Sequence, residues 1–298
     1  MSIKRPIKAP SEPITDTQLE CLHYPIVGSP KLDGFRCVVK DEPKTSSLKP
    51  WPNDFIRSEL AYARYHGLDG EIVVGDPTDP NAYHNTSGPV RRRGGEPDFK
   101  FYVFDRWNEP SLNYADRWLD CKLEEDGRII VLEQRLLNTP EEVLAYEKEL
   151  LAIGYEGAMI RAIDGMYKQG RCSFRDLNIF KRKPFDECEA TIIECIEGLQ
   201  NMNELKENEL GYMRRSSHKA NKVPKGTLGA FRCKSKLWAS SFTVGLGEGY
   251  TAELKQEIWN RRDEYIGQIA TVKYQKYGSR DAPRIPSVIK IRPDWDLS

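Results

Sequence analysis

Lys31-Leu32-Asp33-Gly34-Phe35-Arg36 places an amine, a tight turn and a guanidinium within six residues. That grouping suits chemistry at phosphorus. A lysine amine can attack an α-phosphate covalently once its surroundings make it nucleophilic. Asp-Gly turns the chain sharply around a nucleotide, and the arginine can hold a ribose or a phosphate. Taken alone, the six residues also describe an ordinary surface turn. Four more blocks follow in order: Asp69-Gly70-Glu71-Ile72, Phe101-Tyr102-Val103-Phe104-Asp105, Glu156-Gly157-Ala158-Met159-Ile160-Arg161 and Phe180-Lys181-Arg182-Lys183. Each has a plain alternative. Glu71 could be a surface strand residue, Phe104 could be core of an apolar strand, and Lys-Arg-Lys could be a solvated basic edge. On a strand, however, Lys181 and Lys183 face one side and Arg182 the other, so two ammoniums would converge on one anion.

The five blocks in this order resemble the motifs of the covalent nucleotidyltransferases, which include ATP-dependent DNA ligases, RNA ligases and mRNA capping enzymes. The resemblance runs over nearly the whole chain. Gly211-Tyr212-Met213-Arg214-Arg215-Ser216-Ser217-His218-Lys219, Tyr265-Ile266-Gly267 and Pro283-Arg284-Ile285-Pro286 narrow it to the small viral (Chlorella-virus-type) ATP-dependent DNA ligases. It implies that Lys31 is the catalytic nucleophile and carries AMP as lysyl-AMP. AMP would then pass to the 5′-phosphate of a nick as AppDNA and leave when the 3′-hydroxyl attacks. It implies nucleotide-binding roles for Ser29 and Pro30 along the adenine, Arg36 and Glu71 at the ribose, and Phe104 stacked on the purine. Such stacking is worth about 1–3 kcal/mol. Glu156, with Glu71, would hold Mg²⁺ or Mn²⁺, and Lys181 and Lys183 would neutralise the α-phosphate. The cofactors implied are therefore ATP and a divalent metal.

The partner implied is nicked double-stranded DNA, gripped by a monomer encircling it. Candidate DNA contacts are Arg91, Arg92 and Arg93 on a loop after Thr86-Ser87-Gly88, then Arg214, Arg215, Lys219 and Lys222, and Arg284. A solvated loop is an equal reading for each of the first three. One departure from the family stands out. Its pattern has an arginine, in a Ser-Arg phrase, that contacts the nick 5′-phosphate; here Ser46 takes that place within Thr45-Ser46-Ser47-Leu48. Another residue, such as Arg57 or one of Arg91 to Arg93, would then fill the role. Three rivals share parts of the pattern. An RNA ligase would seldom carry the second domain described below, a capping guanylyltransferase would use GTP, and a non-enzymatic OB-type nucleic-acid binder would form no covalent nucleotide.

The elements that must position these residues read as two domains, as 298 residues allow. The expected fold is α+β: a nucleotidyltransferase (ATP-grasp-like ligase) domain over 1–187, then a five-stranded OB-fold β-barrel over 188–298. In the first, strands are expected at 35–39, 71–74, 101–104, 158–161 and 179–183. Helices are expected from Asn53 to about His66 and from Thr139, a capping-box serine/threonine position, to about Ile153, where Gly154 stops the chain. In the second, strands at 189–197, 227–235, 240–246, 268–276 and 286–292, with a helix at 251–263 after the third, follow the order of an OB-fold. A loop at 199–226 interrupts it. Between Gly211 and Lys225 it holds five Lys or Arg, one His and no acid, and a long loop in a compact domain is usually functional or disordered.

Composition limits the alternatives. The 45 basic and 45 acidic residues cancel, so nucleic-acid binding would rest on local basic faces. The seven cysteines are scattered without a Cys-Xaa-Xaa-Cys pair, which supports neither a zinc site nor a disulfide framework and suits a reducing cytoplasm. No apolar run approaches a membrane span, and the N-terminus lacks the apolar core of a signal peptide. The resemblance to the small viral ligases implies a virus- or phage-encoded protein acting in the host cytoplasm.

Overall fold

The computed structural model describes residues 3–275 and 278–292. The chain separates into two compact units, Met1–Lys183 with Glu209–Gly211, and Pro184–Asn208 with Tyr212–Ser298. The division thus falls after Lys183 and not after residue 187, because Asp186 and Glu187 already pair with Tyr274 and Lys273 in the second unit.

The first unit contains, in order, α1 (Asp16–Leu19), β1 (Ile26–Pro30), β2 (Phe35–Val39), β3 (Pro43–Thr45), α2 (Asp54–Glu59), β4 (Leu68–Val74), α3 (Ala82–Arg91), β5 (Phe99–Arg106), α4 (Tyr114–Cys121), β6 (Ile129–Val131), β7 (Arg135–Leu137), α5 (Pro140–Ile153), β8 (Ala158–Ala162) and β9 (Ile179–Arg182). They form two sheets, in the orders β7-β1-β8-β9 and β3-β2-β4-β5-β6. Leu68, Ile72, Phe99, Phe101 and Val103 bury one face of the five-stranded sheet with Ile56 and Leu60. Ile26, Leu137 and Ile160 of the four-stranded sheet pack against Val143, Tyr146 and Leu150 of α5. That helix follows its sequence signals: Thr139 accepts from the Glu142 N–H and Gly154 closes it at φ 113°. The capping box is only half made, since the Glu142 carboxylate takes the Asn138 N–H at 2.8 Å.

Two local expectations fail. α2 begins at its Asn53 cap but ends at Glu59, well short of His66. Leu60 is fully buried and Tyr65 nearly so, and Tyr65 donates its hydroxyl to Asp126; these tertiary contacts override helix propensity. The segment preceding Arg91 is a helix and not a loop. Gly88 and Pro89 read as breakers, yet both lie inside α3. Thr86 is buried and accepts the Val74 N–H at 3.0 Å, tying the helix to β4.

The second unit contains β10 (Asp186–Asn201), β11 (Leu205–Glu207), β12 (Met213–Arg215), β13 (Lys222–Lys234), β14 (Phe242–Leu246), α6 (Ala252–Asn260), α7 (Arg262–Tyr265), β15 (Ile269–Gln275) and β16 (Arg284–Ile291). Five of these strands close a barrel in the order β10-β13-β14-β16-β15, the OB-fold order. Ile192, Phe231, Val244, Val272 and Val288 fill it, and Ile258 of α6 packs on the same core. The expected helix over 251–263 starts at Thr251 but breaks at Arg261, which leaves helical geometry at φ −111°.

The insert at 199–226 is not an irregular loop. β10 and β13 run on past the barrel, pairing Leu199 with Pro224, Gln200 with Val223 and Asn201 with Lys222. β11 and β12 extend this ribbon as a hairpin. Asn203 organises the turn: its side-chain amide donates to the carbonyls of Ser216 (3.0 Å) and His218 (2.9 Å), and it is buried where residues 211–220 are all exposed. Short strands whose apolar residues, Leu205 and Met213, stay exposed hid this hairpin in the sequence.

Candidate active site

Between the two sheets of the first unit lies a cavity of ≈ 250 Å³. Ser29 and Pro30 at the end of β1, Lys31, Arg36 on β2, Glu71 on β4, Phe104 on β5 and Lys181 on β9 all line it. Backbone geometry explains the two glycines of the lysine and glutamate blocks. A Cβ at Gly34 would lie 2.4 Å from the Ile72 carbonyl oxygen, and one at Gly157 would lie 2.1 Å from that of Arg182. Gly157 also has φ 149°, open only to glycine at little strain. With these close approaches made, the Lys31 N–H donates to the Gly157 carbonyl at 2.9 Å, and the nucleophile block is fixed to the glutamate block.

Glu156 is almost fully buried and accepts from the ammoniums of Lys31 and Lys183. Burial opposes its ionisation, but those two cations outweigh it and hold the carboxyl below its ordinary value. Glu71 differs. Burial pushes it up to about 7, against the pull of Arg36 and Lys31. Arg36 donates to Asp69 through Nε (2.5 Å) and Nη2 (2.7 Å), gives a further bond to the Ile7 carbonyl, and lies 4.6 Å from the Phe104 ring centre. Burial disfavours its charge, and Asp69 more than restores it. Beneath, the fully buried Asp105 accepts from Arg117 and Arg161.

Ionising a carboxyl with a raised pKa opposes folding. The penalty at Glu71 is absent at low pH, grows from the ordinary value of 4.5 through about 7, and is constant above. Glu71→Gln is therefore expected to stabilise the protein by about 1–3 kcal/mol at pH 8 and by little near pH 4.5. Thermal unfolding at the two pH values checks this; a pH-independent difference would contradict it.

Phe104 is the extra residue of a β-bulge, since Gly70 pairs with Val103 and Asp69 with Asp105. Phe101 and Val103 take the core positions, which leaves Phe104 on the cavity wall. Lys181 and Lys183 do point away from Arg182. Lys181 lines the cavity and donates to the Ser11 carbonyl at 2.5 Å, whereas Arg182 binds Glu147, Asp16 and the Ile14 carbonyl. Burial and the Lys31 ammonium pull Lys181 below its ordinary value. Ser46 also lines the cavity, while Arg57 lies near Asp54 (3.5 Å) and Glu42 (3.9 Å) on α2.

Other candidates lie elsewhere. Arg91 ends α3 with its guanidinium 5.2 Å from the Phe35 ring, Arg92 caps that helix, and Arg93 pairs with Asp54 at 3.1 Å. Arg214, Lys219 and Lys222 belong to the ribbon and its turn; Arg215 donates to the Asn203 carbonyl and so also braces it. Arg284 opens β16 opposite Gln275. Among the described residues no group of three or more Asp, Glu, His or Cys could hold a metal. Mg²⁺ keeps several waters and takes substrate phosphates, so one or two carboxylates such as Glu71 and Glu156 still suit it. Sequence reasoning missed Asp69, Asp105, Arg117 and Tyr167, the buried layer that holds Arg36 and Arg161. It also missed Lys8, which reaches the cavity from an extended N-terminal segment. Asp69 and Asp105 stand inside the recognised blocks; nothing in the sequence marked Lys8.

Residues 221–292 match the DNA ligase OB-like domain family. The structure resembles that of Chlorella virus DNA ligase-adenylate with a TM-score of 0.53 and 27% identity, over 98% of this chain and 100% of that one. This is the fold of a DNA ligase. The Lig E DNA ligases share it at a TM-score of 0.64 and 19% identity, over 90% of this chain and 92% of theirs. A DNA ligase of African swine fever virus is 25% identical over 138 residues, 44% of this chain and 32% of that protein, so the match spans about a third of that relative. The ligase fold accounts for both units, the cavity strands in one and the closed barrel in the other.

Proposed function

We propose that the chain is an ATP-dependent DNA ligase that seals 3′-hydroxyl/5′-phosphate nicks in duplex DNA. The observation that carries this reading is Lys31, held at the cavity by its backbone bond to Gly157 and paired through its ammonium with Glu156. Attack of the Lys31 amine on the α-phosphorus of ATP forms a P–N bond, breaks the bond to the β-phosphate and releases pyrophosphate. The nick 5′-phosphate oxygen then attacks the same phosphorus; the P–N bond breaks and the lysine leaves. Finally the 3′-hydroxyl attacks the 5′-phosphorus and AMP leaves. Phe104 offers a face for the purine, Glu71 accepts ribose hydroxyls, and Lys181 places a cation at the phosphates. Glu156 holds Lys31 until its proton is shed. A Mg²⁺ or Mn²⁺ ion held by Glu71 or Glu156 would supply charge neutralisation at the phosphates.

The cationic ribbon gives this ligase a second grip on duplex DNA, through phosphates. No described helix is long and apolar enough to cross a membrane, and all seven cysteines are free thiols; we place the activity in a reducing compartment such as a host cytoplasm. Incubation with labelled ATP or GTP, followed by DNA–DNA, RNA–DNA and RNA–RNA nicks, tests the reading. ATP labelling with sealing of the DNA–DNA nick is expected. GTP labelling alone would favour a capping enzyme, and no labelling a simple nucleic-acid binder.

Ser46 supplies a further prediction. A serine offers one neutral hydrogen bond where arginine would offer a charge-assisted fork, a difference of about 1 kcal/mol or more. Ser46→Arg is expected to tighten binding to a 5′-phosphorylated nick and to leave a 5′-hydroxyl nick nearly unchanged. Equal tightening on both ends would remove Ser46 from the phosphate site.

A further inference from the structure

We propose that Lys8 forms a phosphate-binding subsite of this cavity together with the Ser46 hydroxyl; the inference rests on the ligase reading above and adds to it a residue that no sequence motif marks. The charge around the cavity points to Lys8. Arg36 is taken by Asp69, Arg161 by Asp105 and Lys31 by Glu156. Lys181 donates to the Ser11 carbonyl. The Lys8 ammonium, among the described residues, has neither a hydrogen bond nor an ion pair. Burial, then Arg36 and Arg171, lower its pKa, and Asp69, already taken by Arg36 and Tyr167, raises it less. A half-buried ammonium facing other cations is unfavourable unless an anion joins them, and a phosphate bound by such a group gains charge-assisted hydrogen bonds.

The backbone of Lys8 is anchored, which separates it from a lysine on a free terminus. Its N–H donates to the Gly170 carbonyl at 2.8 Å, and its own carbonyl accepts the Cys172 N–H at 2.8 Å. These bonds make a parallel bridge to Arg171, whose guanidinium donates to the Ala9 carbonyl at 2.9 Å. Ser46 lines the same cavity. Two phosphates of the proposed reaction could fill this place, one on the nucleotide and one on the DNA strand.

Lys8→Ala and Lys8→Arg decide between them. One arm measures KM for ATP in self-adenylylation. The other measures affinity of pre-adenylylated enzyme for nicks carrying a 5′-phosphate or a 5′-hydroxyl. Lys8→Ala is expected to lose tenfold or more in one arm, and Lys8→Arg to recover most of it. A loss confined to ATP assigns the subsite to the nucleotide; a loss confined to the 5′-phosphorylated nick assigns it to the strand. Two results overturn the proposal: wild-type behaviour of Lys8→Ala in both arms, or equal losses on both nick ends and ATP that Lys8→Arg does not restore. A wild-type protein that neither labels nor seals would instead remove the ligase reading itself.

Discussion

Lys31→Ala is expected to abolish covalent labelling by ATP, a loss of roughly 10³-fold or more, as when a covalent nucleophile is removed. The other lysines around the cavity are placed differently. Lys183 is held by Glu156, Lys181 donates to the Ser11 carbonyl from a strand paired with Met159, and Lys8 comes from the N-terminal segment bridged to Arg171; Lys31 alone among these four has its own N–H bonded to the residue after Glu156. The variant should fold, because Glu156 keeps Lys183 as a partner. The last chemical step makes and breaks no bond to Lys31. Sealing of a nick already carrying AMP at its 5′-phosphate should therefore survive far better than sealing from ATP. Equal loss of the two activities would show that Lys31 supports the fold or the metal and not the transfer of AMP.

Removing the ribbon should produce the second large effect. Joining Met202 to Asn221 with a two-residue turn deletes β11 and β12 but leaves the Asn201–Lys222 pair that ends the long ladder. Arg214, Arg215 and Lys219 go with it. Their loss should weaken binding to nicked duplex by roughly 10²-fold at 0.1 M salt and flatten the dependence of log K on log salt by about 2–3. Self-adenylylation should change far less, since every cavity residue lies in the other unit. An unchanged salt slope would remove phosphate contact from the ribbon, and a parallel loss of self-adenylylation would make it a structural element.

How far the sequence reaches depends on the range of the interaction. α5 was legible because its signals are local: threonine cap, proline start and glycine stop. The OB barrel was legible from strand spacing and the placement of its helix. The cavity strands were legible because each motif is a turn or a strand end. Long-range effects were not. Glu71 and Glu156 are both glutamates after or before a glycine, yet burial raises one and two ammoniums lower the other. Asp69 and Asp105 hold arginines of other elements, and only the fold brings these together. The ribbon looked like a loop because its apolar residues, among them Leu199, Leu205 and Met213, stay exposed amid charges and bury no face. α3 was hidden by Gly88 and Pro89 near its end, where the buried Thr86 and Val90 outweigh poor local propensity.

The central claim is that Lys31 carries AMP. The direct measurement is mass spectrometry of the protein after incubation with ATP and Mg²⁺, first intact and then as peptides. One AMP per chain is predicted, on the peptide holding Lys31, acid-labile and alkali-stable, and discharged on addition of a 5′-phosphorylated nick. An adduct on Lys8, Lys181 or Lys183, or no adduct from ATP at all, would contradict it.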